Sequence, residues 1–345
     1  MEMNIDSLSL PFLMGLFVLA AFVIVIFGSR MTRLADRLAD VTGLGEAIMG
    51  AVFLGASTSL PGIITSVTAA WHGYAEMAVS NAVGGIAVQT AFLALADITY
   101  RRANLEHAAA SVPNMMQGML LAALLTLALM GALGPNISIF GIHIISFILP
   151  LAYILGLRET SETRDTPMWK PLKTGLTLMD EPESEKPGKK GLVLYWVRFV
   201  LIALVVALAG YVVARSGMAL SERAGISQTI VGGLMTAIAT SLPELITALA
   251  AVRQRALTLA VGGIIGGNSF DVLFLAFSDY AYREGPIYGA MGSGQLMMIT
   301  VTLLMTTVLA LGMLRRERHG IGNIGFESFI ILILYGIMVV LMSLG

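Results

Sequence analysis

One phrase occurs twice in this chain. Thr58-Ser59-Leu60-Pro61 returns as Thr240-Ser241-Leu242-Pro243, an offset of 182 residues (243 − 61). Held at that offset, Ile64-Thr65 lines up with Ile246-Thr247, Ala78-Val79 with Ala260-Val261 and Gly84-Gly85 with Gly266-Gly267. Phe92-Leu93-Ala94 falls on Phe274-Leu275-Ala276, and Asp97 on Asp279. No gap is needed between Thr58 and Asp97. Each copy is a pair of hydrophobic segments interrupted by small polar residues and a proline. Backbone groups freed by such interruptions are tolerated at membrane depth only where they find other partners. A matched pair of interruptions in two halves points to a transporter with its substrate site between the repeats.

Composition sets the environment. Of 345 residues, 57% are hydrophobic and only 12% charged, where a soluble domain carries about 25%. The lipid bilayer is therefore a partner. A net charge of −1 suggests no nucleic acid. With no cysteine, a thiolate metal site, a disulfide framework and a cysteine nucleophile are excluded. The first apolar run, from Leu8 to Phe27, is too long for a signal-peptide core and follows Glu2 and Asp6 rather than basic residues. It reads as a retained first span.

A hydrocarbon core of about 30 Å needs about 20 apolar residues per helix. That template predicts an all-α membrane protein of ten transmembrane helices, near 8–28, 43–70, 76–97, 109–133, 137–156, 191–214, 225–251, 257–278, 289–314 and 323–344. The loops alternate in charge. Arg30, Arg33 and Arg37, then Arg101 and Arg102, then Arg253 and Arg255, then Arg315, Arg316 and Arg318 follow every second span. The long 157–190 segment holds Arg158, Arg164, Lys170, Lys173, Lys186, Lys189 and Lys190. The intervening loops are poor in Lys and Arg: His72-Gly73-Tyr74 and Gly134-Pro135-Asn136 carry none, and the other two hold only one or two arginines, such as Arg223 and Arg283. Positive residues collect on the cytoplasmic side, so both termini are expected outside. The two repeat hairpins then turn on opposite sides, at His72-Gly73 outside and Arg253-Gln254-Arg255 inside. The predicted layout is a first five-helix repeat over 1–156 with core motif 55–97, a solvated cytoplasmic linker over 157–190, and an inverted repeat over 191–345 with core motif 237–279. A prokaryotic inner membrane is the expected location.

The chemistry sits in the repeats. Pro243 frees the carbonyl of Ala239. Thr240 and Ser241 add neutral oxygens, and Glu244 adds a charge. The first copy supplies Ser57, Thr58 and Ser59 around Pro61 but has Gly62 where the second has Glu244. In the following segment Asn268 and Asp271 are three apart, on one helix face. Gln89 occupies the position of Asp271, 28 residues after its proline in each copy. A carboxylate at bilayer centre costs about 2.5–3.5 kcal/mol. Glu244 and Asp271 lie in adjacent spans with no Lys, Arg or His near their depth, and a bound cation or a shared proton would relieve them. An all-oxygen set suits Na⁺, Ca²⁺, Mg²⁺ or H⁺ rather than Zn²⁺ or Cu⁺. No resident cofactor is expected.

At these residues the chain resembles the cation/calcium exchanger superfamily, which includes sodium/calcium and proton/calcium exchangers. The family pattern is roughly Gly-Thr-Ser-x-Pro-Glu in one helix, then Gly-Asn-x-x-Gly-Ser-Asn-Ile-x-Asn/Asp in the next. The second repeat matches at Thr240, Ser241, Pro243, Glu244, Gly266, Asn268 and Asp271, and the first at Thr58, Ser59, Pro61, Asn81 and Gly84. The resemblance implies a core of spans two, three, seven and eight, with spans one and six as long tilted helices that slide past it. It implies cation ligands at Glu244, Asp271, Thr240, Ser241, Thr58, Ser59, Gln89 and Asn268. It also marks departures: Gly62 replaces a calcium-binding glutamate, Gly85 and Gly267 replace sodium-site serines, Ile86 replaces an asparagine, and Gln89 stands for Asn or Asp. The expected function is a secondary cation antiporter exchanging Ca²⁺ or a Na⁺-type cation for Na⁺ or H⁺, with altered ion preference. The alternatives are an ion-binding sensor or non-transporting paralogue and, more remotely, an intramembrane aspartyl protease, which would need two facing aspartates. Residue by residue, Glu244 and Asp271 could instead be helix–helix hydrogen bonders. Asp97 and Asp279 read as end-of-helix groups, Glu46 as an interfacial charge, and His72 as solvated.

Overall fold

The structure is a computed structural model. It describes residues 8–42, 48–100, 104–165, 189–317, 320 and 324–344. Glu46, Arg101, Arg102, Lys170, Lys173, Lys186, Arg318 and the linker over 166–188 lie outside the described residues, as do the side chains of Arg164, Lys189 and Lys190.

Fourteen helices are described: α1 (Leu10–Thr42), α2 (Ile48–Thr58), α3 (Leu60–Trp71), α4 (Ala75–Thr99), α5 (Leu105–Ala109), α6 (Val112–Leu133), α7 (Ile144–Asp165), α8 (Lys189–Ala224), α9 (Gln228–Ile230), α10 (Ala237–Arg253), α11 (Leu257–Asp271), α12 (Leu273–Ala281), α13 (Ser293–Arg315) and α14 (Phe326–Leu344). Among the described residues nine helices are long and apolar enough to cross a membrane, and ten if the bent pair α2–α3 is one span. That number agrees with the ten spans expected. Several boundaries do not. The first predicted span stops at 28, but α1 runs on to Thr42. Charge ends a hydropathy window without ending a helix: Arg33 Nε donates back to the Ser29 carbonyl at 3.2 Å, and Arg37 lies over the Tyr195 ring. The predicted linker likewise begins inside a helix, because α7 continues to Asp165. The predicted span from 137 starts late. Ser138–Ile139 and Ile142–His143 first form a small antiparallel hairpin, β1 and β2. Its two turn residues, Phe140 and Gly141, have φ of 54° and 82°, the signature of a tight two-residue hairpin turn.

The two prolines produce different local structures. In the first copy the chain breaks at Ser59, and α2 and α3 meet at 68°. Pro61 is the second residue of α3, where its missing N–H costs nothing. In the second copy Pro243 sits inside α10, and a π-helical turn (Val231–Thr236) precedes it. The wider turn absorbs an extra residue without a break.

Burial divides the helices. In α4, 83% of the most apolar stretch is buried, against 11% in α8. Most of α4 therefore offers no face to lipid, and Leu95 and Ile98 near its C-terminal end are its exposed large apolar residues. The core is therefore α4 with α11–α12, braced by α3 and α10. The long α1 and α8 pack on one another at the periphery. Packing repeats under the 182-residue shift. α1 lies on α10 as α8 lies on α3, and α13 lies on α4 as α6 lies on α11. Gly28 and Gly210 extend the match well before Thr58: a Cβ on Gly28 would lie 2.7 Å from Pro243 Cγ, and one on Gly210 would lie 2.8 Å from the Pro61 carbonyl oxygen. Each long helix thus brings a glycine against the proline of the other copy.

Asp97 and Asp279 lie in the last turns of α4 and α12, and both are buried. They do more than end helices. Asp97 accepts the backbone N–H of Leu105 at 2.7 Å and of Gly325 at 2.9 Å. Asp279 accepts those of Ile287 at 2.6 Å and His143 at 2.7 Å, plus the Ser146 hydroxyl at 2.6 Å. Positions 97, 105 and 143 plus 182 are 279, 287 and 325, so the two clamps are one device used twice. Each ties a core helix to a connection in its own copy and to one in the other. Replacing either carboxylate by alanine leaves at least two buried backbone donors unsatisfied, a cost of about 1–3 kcal/mol for each such group. Asp97→Ala and Asp279→Ala are expected to lower the thermal unfolding temperature in detergent by similar amounts, whereas a surface change such as Glu162→Ala leaves it nearly unchanged.

Candidate functional site

The elements converge on one small cavity lined by Ser59, Gly62, Asn81, Gly85, Gln89, Thr240, Ser241, Glu244, Asp271 and Phe274. Helical spacing explains the set. Asn81, Gly85 and Gln89 recur every four residues along one stripe of α4, as Glu244 follows Thr240 on α10. Ser59 is delivered by the break between α2 and α3, and Asp271 closes α11. There is room for about one water molecule or one dehydrated ion.

Asp271 is hydrogen-bonded on both of its carboxylate oxygens. It accepts the Ser59 hydroxyl on Oδ1 and, on Oδ2, the Gln89 amide at 2.8 Å. The same Gln89 nitrogen donates to Ser241 Oγ at 3.2 Å. The arrangement is paired by the offset: Ser59 with Asp271 in one direction, Ser241 with Gln89 in the other. Asn81 fixes the wall beside them. Its amide donates to Ser66 Oγ at 2.8 Å and to the Gly62 carbonyl at 3.3 Å, and it accepts the Thr236 hydroxyl at 2.6 Å. Two acceptor oxygens remain buried without a donor, Glu244 Oε2 and Gln89 Oε1. None of the lining residues is Lys, Arg or His. Buried acceptors with no donor are uncommon; a donor, a proton on the carboxylate or a cation can each satisfy such oxygens.

Of the eight predicted site residues, six line the cavity: Glu244, Asp271, Thr240, Ser241, Ser59 and Gln89. Thr240 points its hydroxyl at the Thr236 carbonyl, at 2.9 Å. Two lie elsewhere. Thr58 bonds the Gly55 carbonyl of its own helix at 3.1 Å. Asn268 is fully buried against α4, donating to Thr90 Oγ1 at 3.1 Å. His72 is exposed in its turn, with Nδ1 2.8 Å from the Thr68 carbonyl. Four lining residues fell outside the predicted set: Gly62 and Gly85, marked in the sequence as departures from the family pattern, and Asn81 and Phe274, for which the sequence also offered a signal. Asn81 carries a motif match, and Phe274 belongs to the repeated Phe-Leu-Ala triplet three residues after Asp271.

These features define a polytopic membrane protein with an acidic, oxygen-lined cavity between two repeated helix pairs. The sodium/calcium exchanger protein family model matches residues 12–157 and 193–344. The chain belongs to that family of transporters. It is 26% identical to the inner membrane protein YrbG of Escherichia coli (strain K12), over 92% of this chain and 94% of that protein. A local stretch, 18% of this chain and 9% of the relative, is 43% identical to the human sodium/potassium/calcium exchanger 2. Among solved structures the fold is similar to the H⁺/Ca²⁺ exchanger CAX, with TM-score 0.70 and 13% identity over 96% of this chain and 86% of that one. It is also similar to the sodium-calcium exchanger NCX_Mj, with TM-score 0.61 and 19% identity over 95% and 98%.

The glycines of the cavity are not equivalent. A Cβ on Gly85 would come no closer than 3.6 Å to Ser241 Oγ, and one on Gly267 no closer than 3.8 Å to Gln89 Oε1, both ordinary contacts. A Cβ on Gly62 would lie 2.6 Å from the Phe274 ring. Gly85→Ser is therefore expected to keep stability within about 0.5 kcal/mol, while Gly62→Ala costs about 1–3 kcal/mol through overpacking. Thermal unfolding in detergent compares the two.

Proposed function

We propose that this protein is a secondary active cation antiporter that binds its cation at Glu244 and Asp271, with Ser59, Gln89, Thr240 and Ser241 as neutral oxygen donors. One observation carries the reading. The two carboxylates share a cavity whose walls come from both repeats, with no basic side chain to neutralise them. A cation, Na⁺-type or Ca²⁺, relieves the charge when bound, and Na⁺ or H⁺ does so on the return step. Three of the named relatives are exchangers of such ions, and the all-oxygen donor set is suited to them.

The two halves, 1–156 and 191–345, act in this reading as inverted five-helix repeats with both termini outside, in a prokaryotic inner membrane. Exchange-matched packing and alternating loop charge support it. α1 and α8 are the elements that move against the core during alternating access.

Reconstituted into proteoliposomes, the protein is expected to move at least one of Na⁺, K⁺ or Ca²⁺ against a counter-gradient of Na⁺ or H⁺. Glu244→Gln is expected to lower that flux by about tenfold or more. Binding without flux favours a sensor; neither binding nor flux for any of these ions defeats the proposal. Topology has its own test, since the chain has no native cysteine. His72 and Gln254 are equivalent turn positions (254 − 72 = 182). In intact cells His72→Cys should react with an impermeant maleimide and Gln254→Cys should not.

A further inference from the structure

We infer that Phe274 sets the ion specificity of this site, by occupying the place a carboxylate at position 62 would need and so holding the cavity to monovalent cations. The inference rests on the antiporter reading above and names its substrate class.

The first copy lacks an acid opposite Glu244, and the space that acid would use is filled. Phe274 Cε2, Cζ and Cδ2 stand 2.6, 3.1 and 3.7 Å from an ideal Cβ on Gly62. The contact is with a ring edge rather than the end of a flexible chain. Phe274 is also held. It is buried, and it packs edge-on against Phe270 with ring centres 6.5 Å apart. Phe270 in turn packs edge-on against Tyr153 at 5.8 Å and lies 3.0 Å from where a Gly55 Cβ would be. Moving Phe274 away from Gly62 therefore disturbs a row of aromatic rings. The contrast with Gly85 and Gly267 is informative, because those positions have room for a side chain and position 62 does not. Gly62 and Phe274 fit each other as a pair.

The consequence is an uneven coordination shell. A Ca²⁺ ion takes 6–8 oxygens and gains affinity from the number of charged ligands. Here both charges come from the second copy, and an apolar ring edge faces them across the cavity. Both Asp271 oxygens already accept hydrogen bonds, from Ser59 and Gln89. Glu244 Oε2 is the carboxylate oxygen left without a donor, and Gln89 Oε1 is a neutral oxygen in the same condition. Two charges from one half, one of them shared with two hydrogen bonds, suit a dehydrated monovalent cation such as Na⁺, or a proton. A divalent ion would have to share Asp271 with those two hydrogen bonds and would still meet Phe274 in the cavity wall.

The test measures Na⁺ and Ca²⁺ binding by calorimetry and flux in proteoliposomes for wild type, Gly62→Glu, Phe274→Ala and the double variant. Wild type should bind Na⁺ more tightly than Ca²⁺. Gly62→Glu alone and Phe274→Ala alone should gain no Ca²⁺ affinity. The double variant should gain about tenfold or more. The smaller pair Gly62→Asp with Phe274→Leu serves the same purpose if the first pair does not fold. Tighter Ca²⁺ than Na⁺ binding by wild type overturns the inference, as does an equal Ca²⁺ gain from Gly62→Glu alone. A folded double variant that keeps Glu244-dependent Na⁺ flux without a Ca²⁺ gain also overturns it, and leaves the antiporter reading standing. Loss of that reading has a different signature: wild type and Glu244→Gln would be equally inert toward every ion.

Discussion

Asp271 is a buried acid whose donors come from the other copy of the repeat, and that dependence holds the centre of the molecule together. Ser59 reaches it from the break between α2 and α3, and Gln89 reaches it from α4. Neither donor lies in the half that supplies the acid. An ionised carboxylate deprived of water is costly unless it is hydrogen-bonded or paired, so the second half needs the first at this point. The same logic appears at both ends of the core, where Asp97 and Asp279 each accept backbone groups from both copies. Acidic side chains thus connect the repeats at three places along the core.

The close approach of α1 and α8 to the prolines belongs to the same design. Gly28 stands against Pro243, and Gly210 stands against the Pro61 carbonyl. Small residues let helices meet closely where lipid offers no hydrophobic driving force between them. Each long helix therefore touches the core beside a kink, next to the residues that line the cavity. A shift of either long helix along its axis would be felt first at those prolines. Thr65, one turn along from Pro61, donates its hydroxyl to the Gly210 carbonyl at 3.1 Å, a polar contact in the same seam.

Much of this was legible in the sequence because a repeat is a comparison of the chain with itself. The offset of 182, read between Thr58 and Asp97, continues in the structure from Gly28 and Gly210 to His143 and Gly325. Buried acids without basic partners are rare in apolar segments, so Glu244 and Asp271 were conspicuous, and their hydroxyl and amide neighbours followed by helical spacing. Other features carry no such mark. Thr58 and Ser59 are adjacent hydroxyls; only the 68° break decides that Ser59 faces Asp271 while Thr58 turns to its own helix. Phe274 is an aromatic residue in an apolar helix, a description shared by Phe270 and Phe277. Its contact with Gly62 is a matter of tertiary distance. The ends of α1, α7 and α8 were misjudged for a different reason: charge sets where a helix leaves the hydrocarbon, and backbone hydrogen bonding sets where it stops.

The departure from symmetry is concentrated in one small region. The chain breaks beside the proline in the first copy, whereas in the second the proline sits inside a continuous helix that follows a π-helical turn. A break frees the chain to swing Ser59 inward as a donor. A continuous helix keeps Glu244 one turn beyond Thr240, on the face toward the cavity. Donors on one side and acids on the other make a complementary pair, and the acids then need no second carboxylate opposite them to be held in place. Position 62 is released from that duty, and Phe274 fills the room. A site built this way has its two acids in a single half, on α10 and α11. The first half contributes the hydrogen bonds of Ser59 and Gln89 to Asp271. Those bonds offset part of the cost of burying that carboxylate, which is why the asymmetry in acids comes with a matching asymmetry in donors.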